Sequence, residues 1–135
     1  MEKSLVLIKP DAVENNLIGI IIREYEKEGL KVIAIRMEKI SKKFAGKHYY
    51  EHKGKSFYED LIKFIIRNPL CALVLEGDNA IEKIREINGA TDPKKAKKGT
   101  IRNLYALSNR ENCVHASDSI ESATREIKLW FPKLI

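Results

Sequence analysis

The stretch LCALVLEGDNAIEKIREING, Leu70 to Gly89, divides into two halves with different patterns. Its first eight residues form a short apolar run bounded by turn residues, which reads as a strand. From Asn79 the spacing becomes helical: Ile81, Ile84 and Ile87 fall on one inward face and Gly89 closes the segment. A strand delivered straight into a helix sets the style of the chain, and the segments on either side repeat it.

Upstream, KSLVLIK is a second apolar run, stopped by Pro10 as a buried strand would be. LIGIIIREYEKEG then places Leu17, Ile18, Ile21, Ile22 and Tyr25 on one helical face, with Asn16 as the expected N-cap and Gly29 as the stop. LKVIAIRMEKI alternates imperfectly and predicts another strand. Helical spacing follows from Ser41 to about Tyr50 and again from Phe57 to Ile66, an αα excursion. Downstream of Gly89 regular structure lapses until Asn112. Val114 ends a short strand, and DSIESATREIKLWF forms a helix with Ile120, Ala123, Ile127 and Trp130 on one stripe and Asp118 with Glu121 as a capping box. The order β α β αα β α β α predicts an α+β, ferredoxin-like sandwich, a four-stranded antiparallel sheet with helices packed on one face. Residues 1–135 are expected to form a single domain.

Composition is that of an ordinary globular chain: 44% hydrophobic, 33% charged, four Pro and seven Gly. No run approaches the length of a membrane span, and the opening MEKSLVLIKPD is too short and too broken for a signal peptide, so a cytoplasmic protein with no membrane partner is expected. Cys71 and Cys113 match no metal or redox spacing and read as reduced packing residues. The net charge of +6 points to an anionic partner without choosing its class. The lysines of DPKKAKKGTIR read as a solvated loop.

Two decoys carry little. Gly54-Lys55-Ser56 resembles the end of a phosphate-binding loop, but Tyr49 stands where that motif needs glycine. His48 and His52 are spaced i, i+4 without a third ligand, so exposed helix histidines and no protein-bound metal are expected.

NCVHASDS, Asn112 to Ser119, is the chemically dense stretch. A histidine between a strand and a helix N-terminus sits where an incoming anion is favoured, and imidazole can form a covalent intermediate. Glu126 lies at the edge of the last helix's apolar stripe, where a carboxylate needs a partner, and His115 fits that need. The residues alone leave His115 open between a nucleophile and a satisfied structural histidine. Phosphoryl transfer also needs positive charge around the phosphate oxygens, for which Lys9, Arg85 and Arg102 are the candidates.

NCVHASDS resembles the active-site signature of the nucleoside diphosphate kinase family, and LVLIKPDAV, HYYEHKGKSFYEDL, GATDP, KGTIR and SATREIKLWF recur in that family's order across nearly the whole chain. The resemblance implies a Mg2+-dependent ping-pong exchange between ATP or other nucleoside triphosphates and nucleoside diphosphates. His115 would be the nucleophile, supported by Glu126 and Ser117. Lys9, Tyr49, Arg85, Thr91, Arg102 and Asn112 would hold phosphates and ribose, Phe57 would stack on the base, and Asp118 would touch the metal through water. Broad base specificity and a homo-oligomer are expected, and no nucleic acid is required. By analogy with oxyanion sites, losing Lys9 or Arg102 would remove about 3–4 kcal/mol of transition-state stabilisation.

The chain departs from the family pattern at Ala116, where glycine is commoner, at Asn103-Leu104 and at Asn109. Ser56 and Lys98 replace usual prolines, which predicts two looser pocket loops. The rival readings are an RNA-recognition module and a catalytically dead scaffold. Against the first, neither KSLVLIK nor CALVLEG carries an aromatic on which a base would stack. Against the second, every residue at a catalytic position is retained.

Overall fold

The computed structural model describes residues 1–134; Ile135, the last residue of the expected domain, lies outside them. Along the chain come β1 (Glu2–Ile8), α1 (Pro10–Glu14), α2 (Ile18–Lys27), β2 (Lys31–Glu38), α3 (Lys42–His48) and a 3-10 turn at Tyr50–His52. They are followed by α4 (Tyr58–Ile66), β3 (Leu70–Gly77), α5 (Ala80–Asn88), α6 (Ile101–Tyr105), β4 (Val114–Ala116) and α7 (Ile120–Trp130). The strands form one antiparallel sheet in the order β2-β3-β1-β4, the α+β ferredoxin-like arrangement expected.

The helices cover both faces of this sheet, where the sequence reading placed them on one. The reason lies in the two central strands, which are apolar at successive positions and so point hydrophobic side chains to both sides. Val6 and Ile8 of β1 join Leu73 and Leu75 of β3 in a core closed by Ile21 and Tyr25 of α2 and Ile84 of α5. Leu5 and Leu7, with Ala72 and Val74, face the opposite core, closed by Ile62 and Ile65 of α4 and Ala123, Ile127 and Trp130 of α7. Each large side chain buried here contributes about 1.5–3 kcal/mol, so the sheet is a rigid floor for whatever is mounted at its edge.

Several local expectations are corrected. Asn16 does not cap α2; it takes a left-handed backbone (φ 60°), and Leu17 occupies the cap position. Ser119, not Asp118, caps α7, its hydroxyl accepting from the Ser122 N–H. Ile120 faces solvent at 63% exposure, because the stripe that reaches the core begins at Ala123. The segment after Gly89 is not irregular throughout: Thr100 caps the short α6 by accepting from the Asn103 N–H. In the loop where Lys98 replaces the usual proline, Asn103 accepts from the Gly99 N–H at 3.1 Å and donates to the Ala96 carbonyl at 3.5 Å. Gly89 is required where it stands: its φ is +88°, and a Cβ there would meet the Thr100 hydroxyl at 2.4 Å. Among the described residues no helix is long and apolar enough to cross a membrane.

Candidate active site

His115 belongs to a strand, not to the junction after one. β4 runs Val114–Ala116 because it pairs with the end of β1, setting His115 opposite Leu7. Ala116 therefore has extended backbone of negative φ and substitutes for glycine without strain. The chain enters β4 through a tight turn in which the Val114 N–H bonds the Asn112 carbonyl at 2.8 Å and Cys113 takes φ +72°. Such a conformation costs a non-glycine residue about 1–3 kcal/mol and persists only where the surroundings impose it.

The surroundings are specific. Asp11 of α1 accepts from the Cys113 N–H at 3.0 Å, the Lys9 N–H bonds the Cys113 carbonyl at 2.8 Å, and the Arg102 Nε–H reaches the Asn112 carbonyl at 3.3 Å. Burial raises the Asp11 carboxyl above its ordinary range even against that hydrogen bond and the Lys9 charge. Burial, reinforced by Asp11, pushes the Cys113 thiol up to about 12, which leaves it a packing residue rather than a nucleophile.

Behind His115 stands a carboxylate. Glu126, on the buried side of α7, places Oε1 3.1 Å from His115 Nε2 and accepts from the Ser117 hydroxyl at 2.7 Å. Ser117 Oγ in turn accepts the Leu5 N–H at 3.1 Å, which ties the group to the sheet. Burial works to raise the Glu126 carboxyl, but hydrogen bonds from His115 and Ser117 and the charge of Arg125 outweigh it and hold the group below the usual carboxylate range. An ionised Glu126 on Nε2 puts the imidazole proton there and leaves the lone pair on Nδ1. Among the described residues Nδ1 has no hydrogen-bond partner, and His115 lines a cleft of about 650 Å³.

The cleft gathers most of the site residues read from the sequence: Lys9, Tyr49, Arg85, Thr91, Arg102 and Asn112 share its lining with His115. Lys9 extends from the end of β1, is buried, and donates to Asn112 Oδ1 at 2.8 Å. Arg102 donates to the carbonyls of Gly89 (2.8 Å), Val114 (2.7 Å) and Asn112 (3.3 Å), so it braces the cleft wall as well as charging it. A guanidinium has more N–H groups than these three bonds use, and the rest remain for an anion. Arg85 is exposed on α5 and lines the cleft, where its charge acts on Asp118.

Tyr49 is buried, and burial raises its hydroxyl well above the ordinary phenol range, so it remains a neutral donor. Phe57 is not in the lining; it stands at the rim, 39% exposed, with its ring 5.5 Å from that of the lining residue His52. Ser117 and Glu126 lie behind the wall. Asp118 is the one carboxylate of the lining, and hydrogen bonds from Ser122 and Ser119 lower it and keep it ionised.

The sequence reading missed His52, Leu61 and Asn88 in the lining, and it expected His48 to be exposed. His48 is 4% exposed and packs against His115, a contact between distant segments that no local spacing signals. A second hollow, of about 450 Å³ between the N-terminus and α7, shares no residue with the cleft and is lined mainly by apolar side chains.

The family model described as nucleoside diphosphate kinase matches residues 2–134. The chain is 65% identical to a nucleoside diphosphate kinase of Clostridium perfringens, over 99% of this chain and 94% of that protein. It is 51% identical to one of Saccharolobus islandicus, over 98% and 96%. Its structure superposes on the crystal structure of the Aquifex aeolicus nucleoside diphosphate kinase with a TM-score of 0.95 at 38% identity, covering 98% of this chain and 96% of that one.

Proposed function

Because the chain belongs to the nucleoside diphosphate kinase family and transfers phosphate between nucleotides, we propose that it does so in two half-reactions through a phosphohistidine on Nδ1 of His115. The observation that carries this reading is the 3.1 Å contact between Glu126 Oε1 and His115 Nε2, which leaves Nδ1 as the free nucleophile at the cleft.

In the first half-reaction the Nδ1 lone pair attacks the terminal phosphorus of a nucleoside triphosphate. The bond from that phosphorus to the bridging oxygen breaks, and the nucleoside diphosphate departs with the electron pair. The Nε2 proton stays in its bond to Glu126, whose charge stabilises the positive ring. In the second half-reaction a terminal phosphate oxygen of a different nucleoside diphosphate displaces Nδ1 from the same phosphorus. Lys9, Arg85 and Arg102 spread positive charge over the phosphate oxygens, where a loose transition state needs it. Tyr49, Thr91 and Asn112 complete the hold on phosphates and ribose. Phe57 offers its face to the base at the rim; every base has a π-face, so this contact accepts many nucleotides and gives broad base specificity.

The lining, rich in cations and with Asp118 as its one carboxylate, makes no cage for a divalent ion. It would suit Mg2+ arriving on the nucleotide phosphates, and Asp118 would touch that ion through water. When bound, that ion neutralises phosphate charge. The reading carries with it a cytoplasmic enzyme.

The test is incubation with γ-labelled ATP, then acid and alkali treatment. The label should be acid-labile and alkali-stable, and GDP should discharge it into GTP. A wild-type protein that never takes up label, or a His115→Ala variant that still does, overturns the mechanism.

A further inference from the structure

Helical spacing predicts His48 on an exposed helix face, but the structure buries it directly beside His115. The Trp130 Nε1–H donates to His48 Nδ1 at 3.1 Å, so the His48 proton sits on Nε2. The ring stands at 80° to that of His115, with centroids 4.7 Å apart, and meets the Tyr49 ring edge-on at the same distance. Its backbone carbonyl accepts from Arg125 at 3.1 Å, and Arg125 lies 3.9 Å from the second oxygen of Glu126.

These contacts exclude two other roles. His48 is no proton carrier, because burial first, then the charges of His115, Arg125 and Lys9, hold it neutral far below the ordinary imidazole range, and its lone pair is engaged by Trp130. Nor is it a ready metal ligand. His48, His115 and Glu126 offer ligand atoms within 4.8 Å of one another, but Trp130 occupies the Nδ1 lone pair of His48 and Nε2 holds the proton.

What His48 supplies is a wall. The bond to Glu126 fixes His115 at one atom, and a ring pinned at Nε2 alone can still tilt about the axis that carries it. A perpendicular, neutral ring at van der Waals range removes that tilt without offering a competing charge. We propose that His48 is a positioning residue for the nucleophile: held in one tautomer by Trp130, it fixes the plane of the His115 ring and so the line along which Nδ1 meets phosphorus. This rests on His115 being the phosphate carrier.

His48→Gln tests it, since glutamine can still accept the Trp130 N–H but lacks the ring. The rate of phosphorylation by ATP should fall about tenfold to a hundredfold, the loss that a small misplacement of reacting atoms produces, while the Kd for ADP stays unchanged. In 15N spectra of the nucleotide-free protein, His115 should pass from a single Nε2–H tautomer to a mixture. Wild-type rate together with the wild-type tautomer would overturn the proposal. Trp130→Phe is the second variant, keeping the wall but releasing its lock: His48 should show mixed tautomers and phosphorylation should slow severalfold, and an unchanged rate there also counts against the proposal. The tautomer of His115 is read without nucleotide, so its response to His48→Gln is separable from failure of the phosphohistidine reading itself.

Discussion

Lys9 Nζ donates to Asn112 Oδ1 across 2.8 Å, joining the end of β1 to the loop that precedes His115. Burial lowers the Lys9 ammonium to about 8, with Arg102 and Arg110 adding to the effect and Asp11 opposing it. The residue proposed to meet phosphate therefore loses its charge just above neutral pH. ADP affinity should fall as pH rises through about 8. Because a bound phosphate favours the ammonium, binding at pH 8 should also take up a fraction of a proton, and binding at pH 6 almost none. Calorimetry in two buffers of different ionisation enthalpy measures this; uptake that persists in Lys9→Met would assign it elsewhere.

The same depressed value has a stability consequence. Lys9 titrates at about 8 in the folded protein, against 10.5 for an unperturbed lysine. The native state thus gives up its proton first, so the penalty for holding the buried charge is fully present below pH 8 and is relieved as pH rises toward 10.5. That difference amounts to about 3 kcal/mol. Lys9→Met removes the penalty at pH 7 but abandons the bond to Asn112, for a net gain of about 1–2 kcal/mol. Urea unfolding should show a raised midpoint beside lost turnover; a less stable variant contradicts the account.

Arg102 separates bracing from charge. Its bonds to the carbonyls of Gly89, Asn112 and Val114 hold α6 and the end of α5 against the entry to β4. Lysine keeps the charge but not the planar fork. Arg102→Lys should therefore lose about 2–3 kcal/mol of stability, the cost of leaving such carbonyls unpaired, along with activity. A thermal melt identical to wild type would restrict Arg102 to the phosphate.

Glu126 gives the opposite pH sign. Its carboxyl lies below the ordinary carboxylate value in the folded protein, so its contribution is present above that value and is lost as pH falls through the depressed one. Unfolding curves from pH 7 down to 3 should be steeper for wild type than for Glu126→Gln. Glu126→Ala should remain folded and phosphorylate slowly; unchanged kinetics would leave Glu126 a structural role alone.

These contacts explain which parts of the molecule were readable. β3 matches its apolar run from Leu70 to Gly77 because a strand buried on both faces needs no periodicity to be seen. Glu126 was legible as a carboxylate on an apolar stripe. By contrast α1 spans five residues, too few to establish a helical period, and its purpose is a bond from the Cys113 N–H to Asp11, 102 residues apart in sequence. The positive φ of Cys113 has no local signature, since glycine or asparagine would be expected there. His48 was misread for the same reason: its burial is decided by Trp130 and His115, which helical spacing around residue 48 does not contain.

The sheet edge supplies the last prediction. β2 pairs with β3 on one side and ends the sheet on the other, and on its surface Ile35 is 58% and Met37 54% exposed. The opposite edge, β4, is three residues long, too short to invite pairing, whereas β2 presents eight. Arg36 ties β2 to the Trp130 carbonyl at the end of α7 at 2.7 Å and pairs with Glu38 of the same strand at 2.6 Å, while the pairing with β3 sets its register. A long, ordered, partly apolar edge is a liability unless it is covered, and a second copy would cover it through a self-complementary two-fold contact. The expected homo-oligomer should therefore be built on β2. Light scattering should give at least a dimer at micromolar concentration. Met37→Lys, which puts a charge on the exposed apolar surface of β2, should shift the mass toward the monomer without changing the circular dichroism. A monomeric wild type, or a Met37→Lys variant of unchanged mass, would rule this edge out as the contact.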